Sequence, residues 1–436
     1  MARVVVLGGG LGGLASAARL AKLGHEVTLL EAGDRLGGAL APVAAEGFTW
    51  DAGATYTLLP AALRDLFRKS GRPLETELGA ELEPLPVIRE HRFKDRTSVR
   101  VPGGSRGAQV EAFDALGAGL GEAWVRHVDT YAPVWDVLRR NYVEAPWDPD
   151  APSPELAGLF RTRETLHKRL RRDLRDDRLG LVAAYPLVAE GHDPRNVPAW
   201  AGVPSYLEQC FGAWRLPGGP GRLAGLLTAR LGTRGVTVVT GVEASDLVVR
   251  EGRVVGVATP EGTHDADAVV VAIDPRRLPA LARYVERTMP AIPPVVAHLG
   301  LEGEPPDLPP ELVIHDEPML VVRTGGTAPE GHSTLTVHGR GKIAEDLTTA
   351  LARHRIDVRE QVVVRVDRSP RDQVELWHGS PLGVLWQGRA TLTHRLGPRT
   401  PVPGVYVAGA HGAPGAGIPY VAQSAALVAQ LIGPAG

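Results

Sequence analysis

A glycine block, Gly8-Gly9-Gly10-Leu11-Gly12-Gly13, and a carboxylate about twenty residues further on, Glu31, have the residue types and spacing to hold a dinucleotide. The block fits G-x-G-x-x-G on Gly8, Gly10 and Gly13. In that pattern one glycine makes a tight turn, one lets backbone approach a pyrophosphate, and one lets helix and strand pack closely. Glu31, followed by Ala32, stands where a carboxylate would accept the hydroxyls of an adenosine ribose. The elements that must position these residues are legible around them. Val4-Val5-Val6-Leu7 predicts a buried parallel strand, Leu14 to Leu23 carries Leu and Ala at helical spacing before Gly24, and Glu26 to Leu30 predicts a second strand. The helix amides and dipole would then face the phosphates. An ordinary glycine-rich turn is the competing reading, and the complete strand-helix-strand context ending in an acid favours the dinucleotide.

The chain has 436 residues, enough for about two or three domains with a sizeable core. With 44% hydrophobic and 22% charged residues, it reads as a soluble globular protein. A net charge of −2 provides no global basic excess, which argues against nucleic acid as a general partner. Cys210 is the single cysteine, so an intramolecular disulfide and a cysteine metal cluster are excluded, and a reducing cytoplasm is the natural compartment. Arg3 and the apolar run after it imitate a signal peptide, but the glycine block explains them better. No run of about eighteen apolar residues is present to span a membrane.

Further along, Arg35, Gly37 and Gly38 predict a second loop that approaches the same ligand, since only glycine admits such close backbone contact. Residues 60–70 and 107–140 read as helical. Residues 155–181 read as a helix with Leu156, Leu159, Leu166, Leu170 and Leu174 at roughly helical intervals and Arg161, Arg163, Lys168, Arg169, Arg171, Arg172, Arg175 and Arg178 between them. Such a basic amphipathic helix is either a contact for an anionic membrane surface or a solvated face. Strands are expected at 236–240, 244–250, 254–259 and 266–273, as an extension of the first sheet, and residues 343–354 as a helix. The chain closes with Gly404 to Ala410, a glycine-rich turn to Pro419 and an apolar helix from Tyr420 to Leu431, a second place where helix amides would meet a cofactor. His315, His332, His338 and His378 are scattered without ligand spacing, so no metal site is expected.

Four stretches, Val4 to Gly38, Phe48 to Gly53, Gly212 to Asp274 and Pro401 to Ser424, together resemble the flavin amine oxidase superfamily, and within it the phytoene desaturase-like branch. Gly404-Val405-Tyr406-Val407-Ala408-Gly409-Ala410 and Pro414-Gly415-Ala416-Gly417-Ile418-Pro419 are similar to the C-terminal signature of the desaturases, and His378 to Gly383 to what precedes it. The resemblance implies an α/β fold: a Rossmann-like FAD-binding domain from residues 1–60, 205–280 and 395–436, and a discontinuous α+β substrate-binding domain from 61–204 and 281–394. It implies FAD as cofactor, with Gly8, Gly10, Leu11, Gly12 and Gly13 at the pyrophosphate and Glu31 and Ala32 at the ribose. Arg35, Gly37 and Gly38 would line the next loop, and Val242 would offer backbone to the adenine. Gly53, Ala54 and Thr55 would lie near the isoalloxazine, and Gly409, Ala410, Gly417 and Ile418 at the ribityl chain and flavin carbonyl end. Many relatives carry basic residues where this chain has Gly33 and Ala39.

A flavin takes a hydride at N5, so the protein must hold a C–H bond over that atom in a dry pocket. Amine oxidases of the superfamily usually carry a lysine near the flavin. The comparable strand here, Pro294 to Leu301, has His298 and no lysine, and Cys210 falls outside the segment that would attach a flavin covalently. Both departures favour desaturation of an apolar substrate. His298 and His411 are the polar residues expected closest to the ring, as proton-handling groups or as buried, hydrogen-bonded histidines. Tyr420 is a third catalytic candidate and, with Tyr56, would wall the pocket or pack in the core. The leading reading is a FAD-dependent oxidoreductase, cytoplasmic with a membrane-surface contact as an option. It would remove hydride and proton from a lipophilic, isoprenoid-like substrate and pass electrons to oxygen or a quinone. An oxidase of amines or secondary metabolites is the alternative in the same fold. A flavin-free prenyl-lipid binding protein is the alternative from another class.

Overall fold

The computed structural model describes residues 1–53, 55–149 and 151–436. Five parallel strands form one sheet in the order Thr237–Thr240, Glu26–Glu31, Arg3–Leu7, Ala268–Val271, Val405–Val407. Val5 lies between Thr28 and Val269 in register. The run Val4 to Leu7 is apolar throughout because both faces of the sheet are covered. Val4 and Val6 pack on one face with Leu14, Ala15 and Ala18 of the helix Leu11–Lys22, and with Val421, Ala422 and Ala425 of the helix Ile418–Ile432. Val5 and Leu7 pack on the other face with Leu247, Val257 and Leu281.

That second face corrects one expectation. The strands Asp246–Arg250, Arg253–Thr259 and Gly262–Asp265 do not extend the parallel sheet; they form a separate antiparallel sheet lying against it. The reason is local: Glu251 and Gly252 both have positive φ, 50° and 75°, the geometry of a tight hairpin, which turns the chain straight back.

A larger sheet of seven strands runs Val362–Arg368, Val295–Glu302, His332–Arg340, Met319–Thr324, Glu311–Ile314, Val87–Arg92, Ser98–Pro102. Ala297, Leu299, Leu312, Leu335 and Val337 bury one face against Leu347 and Leu351 of the helix Leu347–Ala352. The opposite face carries polar side chains and receives Phe48, Trp50, Gly53 and Tyr56.

The segment expected as one basic helix over 155–181 is three helices, Pro154–Phe160, Leu166–Asp173 and Asp177–Ala189. Each restarts at a side-chain cap: Ser153, Thr165 and Asp176 accept the backbone amides of Leu156, Lys168 and Arg178. Residues 107–140 likewise divide into Arg106–Asp114, Leu120–Asp129 and Ala132–Leu138, with a further turn to Val143. Among the described residues no helix is long and apolar enough to cross a membrane.

Candidate functional site

At the C-terminal edge of the parallel sheet, the strand Arg3–Leu7 runs into the glycine block and the strand Val405–Val407 into Gly409. A Cβ at Gly13 would lie 1.8 Å from the Gly8 carbonyl oxygen, and one at Gly12 would lie 2.9 Å from Gly409 Cα. Close packing therefore requires both glycines. A Cβ at Gly10, by contrast, would meet nothing within 4 Å. The amides of Gly12 and Gly13 find no acceptor among the described residues, and the amide of Leu14 is bonded to the Gly10 carbonyl. No acidic side chain occupies the first turn of the helix. Open space, unsatisfied N–H groups and the positive end of a helix thus coincide, and they fit an anionic pyrophosphate.

Beside this space, Glu31 accepts the Gly9 amide at 2.5 Å on one carboxylate oxygen and the Gly33 amide at 2.7 Å on the other. These bonds fix the carboxylate and leave each oxygen a further lone pair for a ribose hydroxyl. The Val242 amide donates to the Glu31 carbonyl at 3.0 Å, and the Gly241 amide to the Gly33 carbonyl at 2.8 Å. Val242 therefore sits beside Glu31, where the sequence reading expects it. Ala32 is half-buried between these partners, and Arg35 is exposed. The Gly37 amide donates to the Gly9 carbonyl at 2.8 Å, and a Cβ on Gly38 would lie 3.0 Å from Gly10 Cα, so the second loop borders the same opening.

The far end is built by the C-terminal turn. The Gly409 amide donates to Ser424 Oγ at 2.8 Å, which ties the loop to the last helix. Ala410 is half-buried, Gly417 caps the helix with φ 102°, and Ile418 opens it as a buried residue. Gly53 joins from the other side: its Cβ would lie 3.2 Å from the Ala39 carbonyl oxygen, and its own carbonyl accepts Arg323 Nη1 at 3.2 Å. Thr55 is half-buried; Ala54 lies outside the described residues.

Over Gly53, the polar face of the seven-stranded sheet aligns His298, Thr336, Arg323 and Glu311 on neighbouring strands, with Arg89 on the next strand beyond. His298 Nδ1 and Thr336 Oγ1 are hydrogen-bonded at 3.1 Å, and the imidazole leans on Trp50 with ring centres 5.8 Å apart. Trp50 Nε1 donates to the Leu299 carbonyl at 3.0 Å, fixing that indole on the sheet. Burial, with Arg368 nearby, pushes the His298 imidazole down to about 4, so it is neutral at pH 7. Its Nε2 has no partner among the described residues.

Next to it lies a buried polar network that the sequence reading missed. Arg323 Nε donates to Glu311 at 2.8 Å, whose other oxygen accepts the Tyr185 hydroxyl at 2.9 Å. Arg89 donates to both oxygens of Glu208, to Tyr56 Oη at 3.3 Å and to His91 Nε2 at 2.9 Å. With His91 Nε2 accepting, Nδ1 bears the proton and donates to His315 Nε2 at 2.7 Å. The available signal was Arg89-Glu90-His91-Arg92, four consecutive polar residues in a stretch that folds as the strand Val87–Arg92.

The other two catalytic candidates belong to the loop and helix that follow the strand Val405–Val407. His411 Nε2 donates to the Ser380 carbonyl at 3.0 Å, and Nδ1 stands 3.4 Å from Arg276 Nη2 and 3.8 Å from Asp274 Oδ1, so both nitrogens are engaged. Burial lowers this imidazole despite the Asp274 charge. Tyr420, in the first turn of the last helix, has a hydroxyl that burial holds well above the usual phenol range; it remains neutral. Among the described residues no three His, Cys, Asp or Glu side chains are grouped to hold a metal ion.

The profile of the flavin containing amine oxidoreductases matches residues 11–433. Over 99% of this chain and 97% of the relative, the sequence is 28% identical to a hydroxyneurosporene desaturase of Cereibacter sphaeroides. It is 26% identical to a carotenoid 3,4-desaturase of Haloarcula japonica, over 95% of each chain. Among solved structures, cyclohexylamine oxidase from Brevibacterium oxydans superposes with a TM-score of 0.68 over 99% of each chain at 16% identity, which establishes the common fold. The glycine cradle, the Glu31 carboxylate fixed beside it and this whole-length match agree: the chain belongs to the flavin containing amine oxidoreductase family, and its cofactor is FAD.

Proposed function

We propose that this oxidoreductase is a desaturase: it removes a hydride and a proton from adjacent carbons of a lipophilic, isoprenoid-type substrate and leaves a carbon–carbon double bond. The observation that carries the reading is His298, a neutral imidazole on a sheet whose seven strands contain no lysine. The match to desaturases along almost the whole chain supports it. The division of labour follows the sequence reading, with residues 1–60, 205–280 and 395–436 holding the cofactor and the rest enclosing the substrate.

Bound FAD supplies the hydride acceptor. The chain's own part is to orient the substrate, exclude water and take the proton. Once hydride has left, the neighbouring C–H of the resulting allylic cation is strongly acidic, so a weak base suffices. His298 Nε2 is such a base with the neutral ring's proton on Nδ1, where it is donated to Thr336 Oγ1 and the bond fixes the ring. Trp50 and Gly53 would border the reacting segment. The electrons would pass on to oxygen or a quinone.

The exposed side chains of Arg161, Arg163, Lys168, Arg171 and Arg175 have no carboxylate partner among the described residues, so an anionic membrane surface is the proposed place of substrate loading. The test is anaerobic mixing of the holoprotein with acyclic carotenoids. Bleaching of the flavin absorbance with formation of a longer conjugated chromophore is expected. A flavin that is bleached by amines and unaffected by carotenoids overturns the reading.

A further inference from the structure

Four arginines are buried among the described residues, and three of them face a carboxylate. Arg19 meets Asp65 at 2.8 Å, Arg89 meets Glu208 at 2.8 Å and Arg230 meets Glu77 at 2.9 Å. Arg395, 7% exposed, has none among the described residues. Its Nη1 donates to the Pro414 carbonyl at 3.4 Å and its Nη2 to the Val384 carbonyl at 3.3 Å, both long, and Nε has no acceptor. The guanidinium lies 5.5 Å from the centre of the Trp386 ring. A buried charge with only neutral partners is expensive to maintain.

The place of this charge is specific. A Cβ on Gly415, where φ is 136°, would lie 3.1 Å from Arg395 Nη1, so the glycine lets the guanidinium press against the back of the Pro414–Gly417 turn. That turn feeds the N-terminus of the helix Ile418–Ile432, whose first turn holds no acidic residue. A helix dipole and an uncompensated guanidinium thus add their positive potential at one corner of the cofactor cradle.

We propose that Arg395 tunes the cofactor: it is a positioning residue that favours reduced over oxidised FAD from behind the 414–417 turn. The inference rests on the FAD-dependent reading above and on the flavin's carbonyl end facing that turn. A hydride brings two electrons and one proton, so the ring gains one negative charge when it is reduced. A positive charge already fixed beside it stabilises that product without reorganisation.

The test is the midpoint potential of bound FAD in the purified holoprotein, with FAD stoichiometry measured alongside. Arg395→Met is expected to keep FAD and shift the reduced-to-oxidised equilibrium about tenfold toward oxidised, which is about 30 mV for a two-electron couple. Arg395→Lys, which keeps the charge and loses the fork, is expected to stay within about threefold of the parent. An Arg395→Met protein that holds FAD at the parent potential overturns the proposal. If that variant does not fold, a lysine variant shifted by tenfold or more overturns the charge argument. A parent protein that takes up no FAD overturns the FAD-dependent reading itself, a result distinct from an unchanged potential.

Discussion

Arg89 and Glu208, separated by 119 residues in the chain, form a two-armed ion pair with 2.8 Å at each arm and side chains only 1% and 2% exposed. This pair locks the helix Pro204–Phe211 to the seven-stranded sheet. Removing one partner leaves the other charge buried. Glu208→Gln should destabilise the protein by about 3–5 kcal/mol, whereas Arg89→Met combined with Glu208→Leu should cost less than the single change. Equilibrium denaturation of the three proteins decides it, and a Gln variant as stable as the parent would show that the pair is solvated in solution.

Glu31 makes a second test. Its carboxylate holds the Gly9 and Gly33 amides and is the proposed ribose acceptor. Glu31→Ala should weaken FAD retention by about 1.5–3 kcal/mol, or roughly ten- to a hundredfold in Kd. Flavin released on dialysis measures this directly, and unchanged occupancy refutes the assignment.

His298 predicts a pH profile. Because burial sets its folded value at about 4, kcat/KM should be flat from pH 8 down to about 5 and fall near pH 4 as the base is protonated. His298→Gln should lower the rate by about 10²–10⁴-fold with FAD still bound. A fall centred near pH 6.5 would mean the ring is solvated when the substrate is present.

Stability should follow the same residues. His298 and His315 both have folded values near 4, below the ordinary histidine value, because of burial. Above about pH 6.5 neither the folded nor the unfolded imidazole binds a proton, so the difference has no effect there. Between about 6.5 and 4 the unfolded chain binds protons that the folded chain refuses, so Tm should drop across that window. His315→Phe should flatten part of the drop.

For the membrane contact, the three-helix arrangement changes which residues to test. Arg172 pairs with Glu164 and Asp173, and Arg169 lies over the Tyr131 ring at 4.4 Å, so charge reversal there would damage the fold. Reversing Arg161, Arg171 and Arg175 should abolish sedimentation with phosphatidylglycerol vesicles, each unpaired cation contributing about 1 kcal/mol. A parent protein that never sediments with them ends the idea.

The first strand-helix-strand unit was legible because every requirement there is local: Val4 to Leu7 need only be apolar, and Gly8 to Gly13 need only fit one turn. Boundaries were less so. The leucines of 155–181 keep an approximate helical period through two breaks, and that period masks the capping residues Thr165 and Asp176 at which the helices restart. The hairpin at Glu251-Gly252 was overlooked for the opposite reason, since the flanking valines look like any buried strand. The network around Arg89 and Arg323 was out of reach. Its partners come from residues 53 to 323, and no spacing rule brings Glu208 to Arg89. Candidate residues were thus found where chemistry is written in consecutive positions, and missed where it is assembled across the sheet.

The parallel sheet takes its strands from residues 3–7, 26–31, 237–240, 268–271 and 405–407, and this has a consequence for biosynthesis. A ribosome adding about 5–20 residues per second needs roughly 20–80 s to pass from Gly13 to Gly409. Throughout that interval the helix Leu11–Lys22 lacks the last helix that covers it, and once the strand Ala268–Val271 has been made its edge stays open until Val405–Val407 arrives. The cradle therefore stays incomplete until Val405 to Ile418 has been made, and a polypeptide interrupted upstream of Val405 keeps its first glycine block and lacks the Gly409 side of the opening.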